Sequence, residues 1–167
     1  MSQRLDYRAL APRGLEGLRK LEGYVLLTDL DRRLLELVRL RASQLNGCAY
    51  CVDMHTKDAR AEGESEQRLY AVAVWEETPF FTDRERAALA WTEAVTLLHE
   101  TRVPDDVFEL ARRHFDEKEL VDLTLAIVAI NAWNRLAVSF RVEAGTYQPA
   151  PRRREAAAVP RADGRES

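Results

Sequence analysis

The stretch LTLAIVAINAWNRLAVSF, Leu123 to Phe140, is the longest apolar run in the chain, and its reading decides between a membrane-spanning protein and a helical domain with a buried centre. A bilayer-spanning helix needs about 20 predominantly apolar residues, so length alone leaves both open. Asn131, Asn134 and Arg135 interrupt the run, and amide or guanidinium groups facing hydrocarbon without partners are costly. A central helix enclosed by protein gives the apolar residues neighbours and the polar ones hydrogen bonds. On such a helix Asn131 and Asn134 take a structural or subunit-contact role, or a supporting place behind a site.

Outward from this run the punctuation is helical. No sustained two-residue alternation occurs; Asn46-Gly47, the one tempting turn, links two helical patterns. A first helix is expected from Pro12 with Leu15, Leu18, Leu21 and Val25 on one side, since Pro suits a first helical position. A second is expected from about Asp31 to Leu45, and a third through both cysteines to Gly63. Ser65 caps a fourth that runs through Trp75 and stops by Pro79. Thr82 with Glu85, and Asp116 with Glu119, have the capping-box spacing, in which each side chain satisfies the other residue's free backbone N–H. They open a helix to about His99 and the final helix to about Glu143, with a short one from Pro104 between them. The fold expected is an all-α, single-domain bundle of six or seven helices. Residues 1–11 read as an N-terminal arm, 12–145 as the helical domain, and 146–167, with its prolines and basic cluster, as a disordered tail.

Length and composition agree with one domain, since 167 residues at 46% hydrophobic content can bury a single core. A formal charge of −3 gives no clustered excess of Lys and Arg for nucleic acid. The N-terminus has no apolar segment of signal-peptide length, and no membrane association is expected, so a cytoplasmic location follows. In that reducing compartment a close cysteine pair is more often catalytic, redox-active or metal-binding than a structural staple.

Both cysteines of the chain fall in LNGCAYCVDMH, Leu45 to His55. On a helix Cys48, Cys51 and His55, at i, i+3 and i+7, lie within an arc of about 60°. The thiolate is the nucleophile, so an imidazole one turn from a thiol raises its reactivity. His55 serves Cys51 in this way, while Cys48, just after Gly47, sits where free N–H groups favour an anion. Two other readings stand beside this one: small core residues, and part of a zinc site, for which His99 and His114 are poorly placed on other helices. Those two histidines, near helix ends, suit contacts to terminal carbonyls better.

The segment ELVRLRASQLNGCAYCVDMHTKDAR, Glu36 to Arg60, resembles the core signature of the AhpD-like alkylhydroperoxidases of the carboxymuconolactone decarboxylase family: a Glu, eleven residues, Cys-x-x-Cys, three residues, His. The resemblance extends more loosely from about Tyr7 to Glu143. It implies a thiol-dependent peroxidase in which Cys51 attacks hydrogen peroxide or an organic hydroperoxide, Cys48 resolves the product as a disulfide, and His55 with Glu36 relays the proton. It implies a thiol reductant, dihydrolipoamide- or thioredoxin-like, and a homo-oligomer; no cofactor or metal is expected. Periodicity alone leaves Glu36 at the border of the apolar stripe as a solvated salt-bridging residue, and only the resemblance brings it to the site. Those peroxidases carry a further His just before the second cysteine, where this chain has Tyr50. A phenol near pKa 10 cannot act as that base near neutrality, although its hydroxyl still hydrogen-bonds. A lactone decarboxylase like the other branch of the family, and a redox-responsive binding protein without turnover, are the alternatives.

Overall fold

The computed structural model describes residues 2–149. Along them run α1 (Tyr7–Leu10), α2 (Glu16–Val25), α3 (Arg32–Leu45), α4 (Ala49–Ala61), α5 (Glu66–Ala71), a 3-10 turn (Val72–Glu77), α6 (Asp83–Thr96), α7 (Leu98–Thr101), α8 (Asp105–His114) and α9 (Glu117–Phe140). The described residues contain no β-strand. Setting aside the four-residue α1 and α7 and counting α5 with the turn after it leaves seven helical segments, the expected all-α bundle. Both capping boxes form.

The boundaries differ where local chemistry differs. The first long helix starts at Glu16, not Pro12, because Gly14 and Gly17 weaken helix propensity in that turn and buried Leu15 anchors the entry. Past Ala71 the fourth segment tightens into 3-10 geometry before Pro79. The α6 helix stops at Thr96, with α7 as a separate turn, and α9 ends at Phe140 because Arg141 adopts a left-handed conformation at its C-cap.

The centre of the bundle is α3, which packs against α4, α6 and α9. Leu34, Leu35 and Val38 face a cluster with α6, α8 and α9, Leu37 and Leu40 one with α4, α5 and the 3-10 turn, and Ala42 a smaller one with the two cysteines and α9. Enclosure on several sides also buries Glu36, Arg39 and Ser43, and buried polar groups must find partners within the protein.

The long apolar helix α9 passes for a membrane span by length and composition, yet it lies against α2, α3, α4, α6 and α8. Its amides are used. Asn134 Nδ2 donates to Ser43 Oγ at 3.1 Å, and Asn46 Nδ2 donates to the Oδ1 atoms of Asn131 (3.0 Å) and Asn134 (2.9 Å). Asn131 Nδ2 donates to Thr96 Oγ1. The two amides thereby pin α9 to the α3–α4 turn. Asn134 is fully buried, so Asn134→Ala should lower unfolding stability by about 1–3 kcal/mol, read as a shifted urea midpoint with an unchanged slope.

Both ends of the described residues close on this frame. The Arg4 N–H donates to the Phe140 carbonyl, and buried Tyr7 packs on the Phe140 ring at 5.6 Å. Of the segment read as a tail, residues 150–167 lie outside the described residues. Just before them the chain runs along α4: Lys57 Nζ donates to the Tyr147 carbonyl (3.0 Å), the Gly145 N–H donates to Asp53 Oδ2 (3.1 Å), and the Tyr147 hydroxyl donates to Asp58 Oδ1 (2.7 Å).

Candidate active site

The α3–α4 connection builds the site. Asn46 ends α3, Gly47 takes φ +64°, a region glycine enters without Cβ strain, and Cys48 caps α4 with its Sγ accepting the Cys51 N–H at 3.3 Å. The turn lays α4 back along α3 and sets His55 beside Glu36, nineteen residues earlier, with Nδ1 2.8 Å from Oε2. Cys48 and Cys51 are joined as a disulfide with Cα atoms 5.3 Å apart, and both are buried among Ala42, Ile130 and Ala137.

The tautomer of His55 follows from the hydrogen bonds of Glu36. Burial pushes its carboxyl up, but the bond and charge of His55, together with Arg39, outweigh burial and hold it below its ordinary value. An ionised carboxylate only accepts hydrogen bonds. Nδ1 of His55 must therefore carry the proton it shares with Glu36, which leaves the lone pair of the neutral ring on Nε2. Nε2 is buried and has no hydrogen-bond partner among the described residues. The other carboxylate oxygen, Oε1, accepts from Arg39 Nη1 at 2.7 Å, and Arg39 Nη2 donates to Glu22 Oε2 at 3.0 Å. A chain of charge thus runs Glu22, Arg39, Glu36, His55 and ends at a base.

His55 and Glu36 line a cavity of about 720 Å³, together with Cys51, Tyr50, Asp58 and Tyr147. Cys48 is absent from its wall, as are Asn131 and Asn134. Tyr50, the residue before Cys51, accepts from Arg8 at its hydroxyl (Nη2 to O 3.4 Å). Asp58 lies behind His55; burial pushes its carboxyl up, opposed by the bond from Tyr147.

Ligand atoms of Glu36, His55 and Asp58 lie within 4.8 Å of one another, close enough to hold a cation. The Glu36 oxygens, however, already accept from Arg39 and His55, and one Asp58 oxygen from Tyr147. A guanidinium bonded to the cluster also repels a cation, so its donor set fits a proton relay better than a metal. His99 sits exposed beside Glu100, with no bond to a helix-end carbonyl among the described residues.

Sequence reading missed Arg39, Glu22, Asp58 and Tyr147. Two of these had a signal: Arg39 stands at i+3 from Glu36 and Asp58 at i+3 from His55, spacings that put side chains on one helix face.

A model of the carboxymuconolactone decarboxylase family matches residues 12–94. The chain is 45% identical over 139 residues to the uncharacterized protein YdfG of Bacillus subtilis, spanning 83% of this chain and 95% of that one. Among solved structures, an Agrobacterium tumefaciens protein of unknown function, ascribed provisionally to AhpD antioxidant defence, is 45% identical with a TM-score of 0.82, over 90% of this chain and all of that one. A peroxidase-related protein of Ralstonia eutropha with an alkylhydroperoxidase AhpD core shares the fold at a TM-score of 0.73 and 24% identity, over 83% and 74% of the two chains.

Proposed function

The chain belongs to the carboxymuconolactone decarboxylase family, and from that premise we propose that it is a thiol-dependent peroxidase of the AhpD-like kind. One observation carries the reading: Cys51 shares a cavity wall with His55 and Glu36, whereas Cys48 stands behind it.

With the pair reduced, His55 Nε2 takes the Cys51 proton, directly or through one water. The thiolate attacks the terminal oxygen of a hydroperoxide; the S–O bond forms as the O–O bond breaks, and the departing alkoxide takes the proton from Nε2. Sulfur has then lost two electrons as a sulfenic acid, and the peroxide has gained them as an alcohol. The Cys48 thiol displaces water from that sulfenic acid and forms the Cys48–Cys51 disulfide, the state the structure holds. A dithiol donor of the dihydrolipoamide or thioredoxin type returns both thiols by exchange. A homo-oligomer belongs to the same reading, supported by Val121 and Val128, which stay exposed on α9.

The test is hydroperoxide consumption with dithiothreitol or dihydrolipoamide, run on wild type beside Cys51→Ser. Wild type should turn over continuously and the variant not at all. Consumption that stops after one equivalent would leave a redox-responsive binding protein in its place. The family model also favours a lactone decarboxylase, which a screen of carboxylated lactones tests, but that chemistry leaves the cysteine pair without a task.

A further inference from the structure

We infer that the cavity in front of Cys51 receives a substrate with an apolar body and an anionic head, and that Arg8, held beside Tyr50, takes the anion. The inference deepens the peroxidase reading and rests on it for the reaction, though not for the binding.

Size comes first. A hydrogen peroxide molecule needs little more than the roughly 30 Å³ a water occupies, whereas the cavity offers about 720 Å³, in the range that encloses organic ligands. Leu26, Met54, Ile130 and Trp133 supply apolar wall, which gains nothing from a small polar peroxide and does gain from covering an alkyl or aryl group.

Charge gives the direction. Four arginines line the cavity: Arg8, Arg19, Arg32 and Arg39. Arg39 is answered by Glu36 and Glu22. The other three have no ion pair with a carboxylate of the described residues; their guanidinium groups donate to the Tyr50 hydroxyl and the carbonyls of Pro12 and Leu26. The wall also carries the carboxylates of Glu62 and of Asp58, whose Oδ1 accepts from the Tyr147 hydroxyl. An anion therefore settles towards Arg8 and away from Asp58.

Arg8 is also the best oriented. Its guanidinium carbon lies 5.5 Å from the Tyr50 ring centre and 5.7 Å from that of Tyr7, contacts that hold a planar cation in place. Tyr50 precedes Cys51 in the chain. The anchor for the head is thus tied to the residue next to the attacking sulfur. Arg presents a fork of donors that matches a carboxylate, so the class is a carboxylate-bearing organic hydroperoxide, such as that of a fatty acid.

Two measurements test this on the full chain. In the first, octanoate and octan-1-ol are titrated calorimetrically into the oxidised protein. Octanoate should bind about tenfold tighter, as a charge-assisted hydrogen bond provides; Arg8→Met should abolish the difference and Arg8→Lys keep part of it. In the second, a fatty-acid hydroperoxide and its methyl ester are compared by kcat/KM, with uncharged dihydrolipoamide as donor in both arms. The acid-to-ester ratio should exceed one in wild type and fall towards one in Arg8→Met. Equal binding of octanoate and octanol, or a preference that survives Arg8→Met, overturns the anion site even if both hydroperoxides are consumed. If octanoate is preferred but neither hydroperoxide is consumed, the anion site stands and the peroxidase reading falls.

Discussion

After Cys48→Ser, one equivalent of peroxide should leave a sulfenic acid on Cys51 that dimedone labels, while Cys51→Ser should leave Cys48 unlabelled. Two physical effects point to different sulfurs. The start of α4 favours an anion on Cys48, whose Sγ already accepts the Cys51 N–H. The base and the cavity favour Cys51, which lines the wall with His55 while Cys48 does not. His55 is one helical turn from Cys51 but seven residues, about 10 Å of rise, from Cys48. A thiolate that the peroxide cannot reach does no chemistry, so access decides between them. Ser suits the cap position that Cys48 occupies, and the variant should keep its fold. Adding His55→Ala to it should slow labelling tenfold or more, as loss of a general base does. Rapid labelling of Cys48 in Cys51→Ser, with none in Cys48→Ser, would reverse the roles and make the helix terminus the better guide.

Much of the fold was legible because local rules act over a few residues. The capping boxes at Thr82 and Asp116 formed as spaced, and Asn46-Gly47 joined two helices rather than two strands. The interruptions in Leu123–Phe140 also read correctly as buried amides in need of partners, since Asn131 and Asn134 both bond at the α3–α4 turn. The site was less legible, for a physical reason. Glu36 looked like a solvent-facing residue because periodicity treats a helix as having one buried side. Helix α3 is packed by α4, α6, α9 and the 3-10 turn, and Glu36 is only 8% exposed. Nothing local in the sequence places Glu36 against His55; resemblance supplied that pairing, and the α3–α4 turn makes it. Tyr147 had no signal at all, since one hydroxyl meeting Asp58 across 89 residues leaves no trace in composition or period.

Glu36→Gln should cut the rate of sulfenic acid formation by about 10²- to 10⁴-fold, and should do so more than Glu36→Ala, although Gln is the closer match in shape. Arg39 decides which way the amide faces. Its Nη1 donates to Oε1 at 2.7 Å, so the amide oxygen of Gln turns to the guanidinium and its NH2 turns to the ring. Nδ1 of His55, now facing a donor, must become an acceptor, and the proton moves to Nε2, where the base is needed. Alanine removes the partner but leaves the ring free to adopt either tautomer. Stopped-flow labelling in the Cys48→Ser background measures the step without the resolving reaction; a Gln variant within threefold of its parent would show that Glu36 does not set the tautomer. Stability gives a separate readout with a fixed sign. Because the folded state holds the Glu36 carboxyl below its ordinary 4.5, the stabilisation it provides is present above that pH and is lost as pH falls through the folded value. The gap in unfolding stability between wild type and Glu36→Gln should therefore be widest above pH 4.5 and close on acidification. A gap that widened in acid would mean that the carboxylate destabilises the fold, with burial stronger than the bonds from His55 and Arg39.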